Sequence, residues 1–109
     1  MATLSALTGN QYSAFNVDGV CFLAATAFHP NSCWESSLEI APGFLPDPVG
    51  GAGAAPILNF YSEPPAQGAI CLQVIQKVTK TLRFDPQGKA AVYVQDGHGY
   101  HLVPIIPVA

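Results

Sequence analysis

The sequence predicts an all-β protein, either a small antiparallel β-sandwich or an open barrel of about six strands built from hairpins. Side chains alternate between apolar and polar with a period of two residues in several segments. Reversals rich in Pro, Gly, Asn and Asp separate these segments. With 109 residues, the chain is long enough to bury a core as a single domain spanning 1–109. The predicted strands cover 17–29, 33–41, 56–62, 69–84, 89–95 and 100–106.

The clearest alternation runs through 69–84, where most even-numbered residues are apolar and most odd-numbered residues are polar. Asp85-Pro86-Gln87-Gly88 follows, with the residue preferences of a type I turn. We therefore expect 69–84 to form a hairpin with 89–95, in which Leu82 lies opposite Val92. The apolar rows of both strands then share one face of the sheet.

A second reversal, Asp96-Gly97-His98-Gly99, predicts a hairpin between 89–95 and the last strand, 100–106. The register of that hairpin stays open, because these glycines allow different loop lengths. Pro104 and Pro107 have no backbone N–H to donate. We therefore expect the last segment to be an edge strand or to leave the sheet.

Residues 17–29 are apolar or small on both faces of the predicted strand. Val20 and Phe22 represent the even-numbered row, and Cys21 and Leu23 the odd-numbered row. This pattern is typical of a strand that is covered on both sides. The second face therefore needs a cover, supplied by a partner subunit or by a long loop of the same chain.

The stretch His29-Pro30-Asn31-Ser32-Cys33 predicts a turn that joins 17–29 to the strand 33–41. In the resulting hairpin Phe28 lies opposite Trp34, an aromatic pair that stabilises two neighbouring strands. The second strand alternates well, and Ser36 is the only polar member of its inner row.

Prolines and glycines crowd the stretch 41–56, which predicts a long crossover loop. Within it, Gly50-Gly51-Ala52-Gly53 lacks the Lys and Ser/Thr of a phosphate-binding loop. After the short strand 56–62, a further turn is expected at 63–68. Residues 1–15 fit either one helical turn or an extended arm, and the sequence does not decide between them.

The composition excludes several functional classes. Half of the residues are apolar and only 10% are charged, with a net charge of −3, whereas about a quarter of the residues in ordinary domains are charged. A chain with so few charged groups has little from which to make a polar surface, so we expect a homo-oligomer. Four basic residues are too few for a nucleic-acid interface. No apolar run of about 18 residues predicts a membrane-spanning helix.

The N-terminal sequence and the cysteines predict a cytoplasmic protein. Met1–Asn10 lacks the basic and apolar parts of a secretory signal, and three cysteines without a CxxC pair are typical of thiols in a reducing compartment. Cys21 and Cys71 are expected to pack as small hydrophobic side chains. His29 facing Cys33 offers a base and a thiol, but no orienting group or oxyanion site accompanies them.

One candidate metal site consists of Asp96, His98 and His101, which fall within one predicted reversal. Imidazole and carboxylate groups bind zinc and similar metals. The HxxH spacing does not by itself make a metal site, and no fourth ligand lies nearby in the sequence. The alternative interpretation is an exposed polar turn.

The candidate ligand-binding residues are the aromatic and imidazole side chains expected at the surface. Exposed rings stack on sugars or anchor protein partners, so either a small ligand or another protein is the expected partner. Ordinary cross-strand pairing of these rings is the alternative. The set comprises Trp34, Tyr93, Tyr100, His98 and His101.

No dinucleotide-binding, P-loop, nucleophile-elbow or zinc-protease motif occurs in the chain. The sequence therefore favours a non-catalytic binding or interaction module that self-associates and needs no cofactor. Two alternatives stay open. One is a small metal-dependent or His-based enzyme with its site near the 96–101 turn, and the other is a structural or shell subunit.

Overall fold

The computed structural model describes residues 3–7, 9–46, 54–86 and 90–108. These residues confirm the all-β class, and they contain eight strands in place of the expected six. None of the described residues forms a helix long and apolar enough to cross a membrane. The strands are β1 (Thr3–Leu4), β2 (Gln11–Val17), β3 (Val20–His29), β4 (Glu35–Pro46), β5 (Ala54–Glu63), β6 (Gln76–Phe84), β7 (Ala91–Asp96) and β8 (Gly99–Pro107).

All eight strands belong to one sheet, which curls into a half-barrel. The order is β1-β5-β7-β8-β2-β3-β6. Strands β1 and β7 pair with different parts of β5, and β4, which lies off this path, pairs with β5 along most of its length. Most neighbours are antiparallel, but β2 and β8 are parallel, as are β5 and β7. The prediction of an antiparallel sheet is therefore correct only in part, because the sheet is mixed. Parallel neighbours are joined by distant crossovers, which leave no local turn signal in the sequence.

The predicted hairpin between 17–29 and 33–41 is wrong. β3 pairs with β2 along one edge and with β6 along the other, so neither edge is left for β4. Phe28 lies opposite Lys77 and not opposite Trp34. The hairpin partner of β3 precedes it in the chain, across a two-residue turn in which Asp18 and the following glycine both have positive φ.

The predicted hairpin between 69–84 and 89–95 is also wrong. β6 pairs with β3, and β7 lies between β5 and β8. Leu82 consequently faces Leu23 rather than Val92. Only Gln76–Phe84 of the predicted strand has strand structure, and 87–89 of the predicted turn lie outside the described residues.

The hairpin between β7 and β8 is confirmed, with Asp96 opposite Gly99 across a two-residue turn. The expectation that the last strand lies at an edge is wrong, since β8 pairs with β7 on one side and with β2 on the other. The two prolines of β8 are tolerated because the backbone N–H groups of the residues that follow them donate hydrogen bonds to the neighbouring segments. Ile105 N–H bonds to the Ala90 carbonyl, and Val108 N–H bonds to the Asn16 carbonyl, both at 2.9 Å.

The described parts of the stretch 41–56, residues 41–46 and 54–56, are strand rather than loop. β4 continues to Pro46 and pairs with β5 from Ala54 onward, with a bulge between Ala41 and Phe44. The prolines of β4 are compatible with this pairing, because the other edge of β4 has no strand partner among the described residues. The predicted glycine-rich loop 50–53 lies outside those residues. The turn expected at 63–68 is present, with Gly68 at positive φ.

The hydrophobic core lies inside the curl of the sheet. β3 contributes its odd-numbered row, represented by Cys21 and Leu23, and β7 contributes Val92 and Val94, all completely buried. The even-numbered row of β3 points outward, so the described residues leave its second face partly open to solvent. The main core residues are Ala14, Cys21, Leu23, Ala25, Ala27, Leu58, Phe60, Phe84, Val92, Val94, Val103 and Ile105.

Two of the three cysteines form a disulfide, Cys33–Cys71, with a Cα–Cα distance of 5.6 Å. The expectation that Cys71 packs as a free thiol is therefore wrong, and Cys33 cannot act as a thiolate beside His29. The same expectation is correct for Cys21, which is buried. Burial raises the pKa of the Cys21 thiol to about 11, so this thiol stays protonated and unreactive at neutral pH.

Candidate functional site

The turn between β7 and β8 is held against the N-terminal segment of the chain. Gly97 N–H donates to the Ser5 carbonyl at 2.7 Å. A Cβ at position 97 would lie 2.8 Å from Ala6 Cβ and 2.9 Å from Ala6 Cα, closer than side chains allow. Glycine is therefore required at this position so that the two segments can touch.

Asp96, at the end of β7, is the centre of a buried hydrogen-bonded cluster. Its Oδ1 accepts from His98 N–H at 2.8 Å and from His101 Nε2 at 2.9 Å. Its Oδ2 accepts from the Tyr12 hydroxyl at 2.5 Å and from Asn10 Nδ2 at 3.3 Å. Hydrogen bonds to an ionised carboxylate are stronger than neutral ones, so these bonds tie three separate segments together.

The same contacts set the protonation states in this cluster. Burial alone would raise the pKa of Asp96, but the hydrogen bonds from Tyr12, His101, the His98 backbone and Asn10 together lower it. Burial and the neighbouring carboxylate raise the pKa of the Tyr12 hydroxyl. Asp96 is therefore ionised and Tyr12 protonated at neutral pH.

A line of hydroxyl groups continues from this cluster through the interior. Ser5 Oγ accepts from Asn10 Nδ2 at 3.2 Å and from Ser62 Oγ at 2.8 Å. Ser36 Oγ lies 2.9 Å from Ser62 Oγ and 2.7 Å from His29 Nε2. We call this connected set the polar chain, and its members in order are Asp96, Asn10, Ser5, Ser62, Ser36 and His29.

His29 ends the polar chain at the gap between β4 and β6. A groove of about 280 Å³ opens there, with Trp34, Gln76 and Lys80 in its lining. Burial lowers the pKa of His29, and the charge of Lys80 lowers it further, while a hydrogen bond to the Trp34 backbone opposes both effects. The imidazole is consequently neutral at neutral pH.

The structure brings together two of the three predicted metal ligands. Asp96 and His101 are hydrogen-bonded, but the His98 imidazole lies 3.2 Å from the Leu7 carbonyl oxygen. No group of three His, Cys, Asp or Glu side chains is placed to hold a metal ion within the described part of the chain. Metal binding at this turn therefore stays a prediction.

The predicted ligand-binding residues fall at separate places. Tyr93 and Tyr100 are in edge-to-face contact, with ring centroids 6.4 Å apart and an interplanar angle of 90°. Trp34 lies just before β4. It lines the groove beside His29 and also a second cavity of about 220 Å³, which Leu7 lines as well. His101 is bonded to Asp96 on one side, while its side chain stays partly exposed. The aromatic pair is therefore accessible as a surface feature, but the five residues do not form one pocket.

A feature that sequence reasoning missed is an apolar surface across β8, β2 and β3. Phe15 lies beside Phe22 on one side and beside Ile106 on the other. Phe15 is 40% exposed and Ile106 is 52% exposed. The outward rows of the three strands contain no charged residue. We call this surface the outer apolar face, and it comprises Phe15, Val17, Val20, Phe22, Leu102 and Ile106.

The outer apolar face was missed because β2 was not predicted. Its inward positions include Tyr12 and Asn16, whose polar groups obscure the alternation that marks a strand. The signal that could have found it is Asp18-Gly19, since this dipeptide is typical of a two-residue hairpin turn. The sequence interpretation placed that dipeptide at the start of a single strand.

Comparisons with known proteins return no match to any protein-family model, curated protein or solved structure.

Proposed function

We propose that this protein is a non-catalytic interaction module that self-associates through the outer apolar face. The observation that carries the proposal is the exposure of apolar side chains on three adjacent strands whose outward rows contain no charge. Monomeric proteins rarely leave such side chains exposed as one continuous patch. Covering them yields about 25 cal/mol for each Å² of apolar surface removed from water.

A second copy of the chain is the partner that fits this surface best. Two copies of an uncharged apolar face match each other about a two-fold axis, and no complementary charges are needed. The sequence also has few charged residues elsewhere, as expected when part of the surface is covered. The aromatic pair Tyr93 and Tyr100 lies beside Leu102, the residue opposite Tyr93, and extends the same contact surface.

Sedimentation of the Phe15→Glu variant tests the proposal. The variant places a charge at the centre of the outer apolar face, so its assemblies should be smaller than those of the wild-type protein. Ile40→Glu is the matched control, because Ile40 is also exposed but belongs to β4, outside this face. A wild-type protein that is monomeric at about 100 μM, a concentration above the Kd of ordinary specific complexes, would overturn the proposal. Equal dissociation of both variants would do the same.

The bond between His101 and Asp96 favours a small His-based enzyme as a second candidate function. With Nε2 bonded to Asp96, the Nδ1 atom of the partly exposed ring is left as a base. Hydrolysis of an activated ester, compared between wild type and His101→Gln, tests this candidate. A rate that does not depend on His101 would exclude it.

A further inference from the structure

Residues 69–75 have the sequence of a strand, yet no strand pairs with them in the described part of the chain. Their even-numbered side chains are apolar and unusually exposed, with Ile70 at 99% and Leu72 at 69%. The segment leads directly into β6 without an intervening turn. It is therefore a strand-forming sequence that carries its apolar row in water.

One backbone edge of this segment is already occupied. Leu72 N–H donates to Ser32 Oγ at 2.8 Å, and the Leu72 carbonyl accepts from Ser32 N–H at 3.1 Å. In an extended chain, the backbone groups of Cys71 and Gln73 face the opposite edge. No hydrogen bond within the described residues uses the N–H or C=O of either residue.

The free edge has none of the usual protection against pairing with another strand. Natural edge strands are commonly guarded by lysine, and β6 has Lys77, Lys80 and Arg83. Between Glu63 and Lys77, by contrast, the sequence contains no charged residue. The disulfide of Cys71 also ties the segment to the loop before β4, which reduces the entropy lost on pairing.

We propose that residues 70–74 pair antiparallel with the same residues of a second copy. The free edge restricts hydrogen-bonded pairs to odd-numbered residues, and we choose the pairing of Cys71 with Gln73 of the other copy because it matches the apolar rows of the two copies. Leu72 then faces its own counterpart across the two-fold axis, and Ile70 faces Val74. The apolar rows of both copies share one side, so each covers the other.

The segment is self-complementary in this register, and that property selects a second copy of the chain as the partner. The inference rests on the proposed self-association but uses a surface separate from the outer apolar face. With two such contacts, each copy would join two others. Extended assemblies of this kind would suit the structural or shell subunit considered from the sequence.

A charge-swap experiment tests the register directly. Leu72→Lys and Leu72→Glu should each weaken association by at least about tenfold, since like charges then meet at the two-fold axis. An equimolar mixture of the two variants should recover association, because opposite charges then face each other. Misfolding of the variants would not be reversed by mixing. Single variants that associate like wild type, or a mixture that does not recover, would overturn the pairing.

Two further variants separate this contact from the outer apolar face. Ile75→Lys adds the same charge to the odd-numbered row at an equally exposed site, 76% exposed, and should leave association within about twofold of wild type. In a Phe15→Glu background the charge swap should still recover pairing. If association recovers in that background, and if Phe15→Glu alone associates like wild type, only the outer-face proposal would be refuted.

Amide hydrogen exchange supplies a readout that does not depend on mutation. The amides of Cys71 and Gln73 should exchange more slowly as the protein concentration rises, because pairing engages both of them. The Leu72 amide, already bonded to Ser32, should change less. Exchange at Cys71 and Gln73 that is independent of concentration would contradict the proposal.

Discussion

Replacing Asp96 by asparagine should destabilise the fold severely. The carboxylate accepts hydrogen bonds on both oxygens from Tyr12, Asn10, His101 and the His98 backbone. Asparagine has only one acceptor oxygen. Its NH2 group would take the place of the second carboxylate oxygen and would face the two donors that this oxygen accepts from in the wild type. Two buried bonds to a charged group would therefore be lost.

The expected cost follows from those two bonds. Hydrogen bonds to charged groups contribute about 1.5–3 kcal/mol each. Because Asp96 is buried, solvent does not compensate for the loss, and we expect the free energy of unfolding to fall by about 3–5 kcal/mol. Since small domains are stable by only about 5–15 kcal/mol, this is a large fraction of the total.

Urea unfolding monitored by Trp34 fluorescence measures this cost. The folded-state pKa of Asp96 is lowered, so the stability it contributes is present above the unfolded value of 3.8 and is lost as pH falls through the folded pKa. Asparagine does not titrate, and the difference between wild type and Asp96→Asn should therefore shrink in acid. Asp18→Asn, an exposed change in a turn, should cost at most about 0.5 kcal/mol. A cost for Asp96→Asn below about 1 kcal/mol, or one unchanged by acid, would refute this reasoning.

Two other perturbations address the disulfide and the buried histidine. Cys33→Ser combined with Cys71→Ser opens a link between residues 38 apart, which should lower the free energy of unfolding by about 4 kcal/mol. Reductant should lower the Tm of wild type but not that of this double variant. Because the pKa of His29 is lowered on folding, the Tm should fall as pH drops below 6.5 toward the folded pKa. His29→Gln should flatten that slope, and an equal slope in both proteins would contradict the assignment.

The sequence was sufficient to predict the direction in which many side chains point. Alternation placed Val92 and Val94 inside, and both are completely buried. The turn between β7 and β8 was predictable because glycines bracket His98 and permit a tight reversal. Ser36 was identified as the one polar residue of an inner row, and the structure explains it through its bonds to His29 and Ser62.

The choice of strand partner could not be predicted in the same way. Alternation shows which face a residue occupies, but any strand with a matching row satisfies it. Ala14, for example, lies opposite Ile105 in a parallel pair, far away in sequence and without a connecting turn. The disulfide was missed for the same reason, because only the topology brings Cys33 and Cys71 together.

The candidate site was predictable only where its members are close in sequence. Asp96 and His101 belong to one reversal, so their contact could be anticipated. Tyr12 and Ser5 reach Asp96 and its neighbours from the N-terminal segment, which carried no recognisable pattern. A serine at an inward position becomes informative only when the hydroxyl it bonds is known.

β8 connects the polar chain to the outer apolar face. Its inward residue His101 bonds Asp96, while the next residue, Leu102, points outward into the face. A hydrogen bond to a buried, ionised carboxylate is a strong one, so the bond from His101 to Asp96 fixes the orientation of β8 and of the side chains that β8 presents. Asp96→Asn should therefore weaken self-association even at temperatures where the variant is folded. An association constant equal to that of wild type, measured by sedimentation on the folded variant, would show that the face is set by the strands alone.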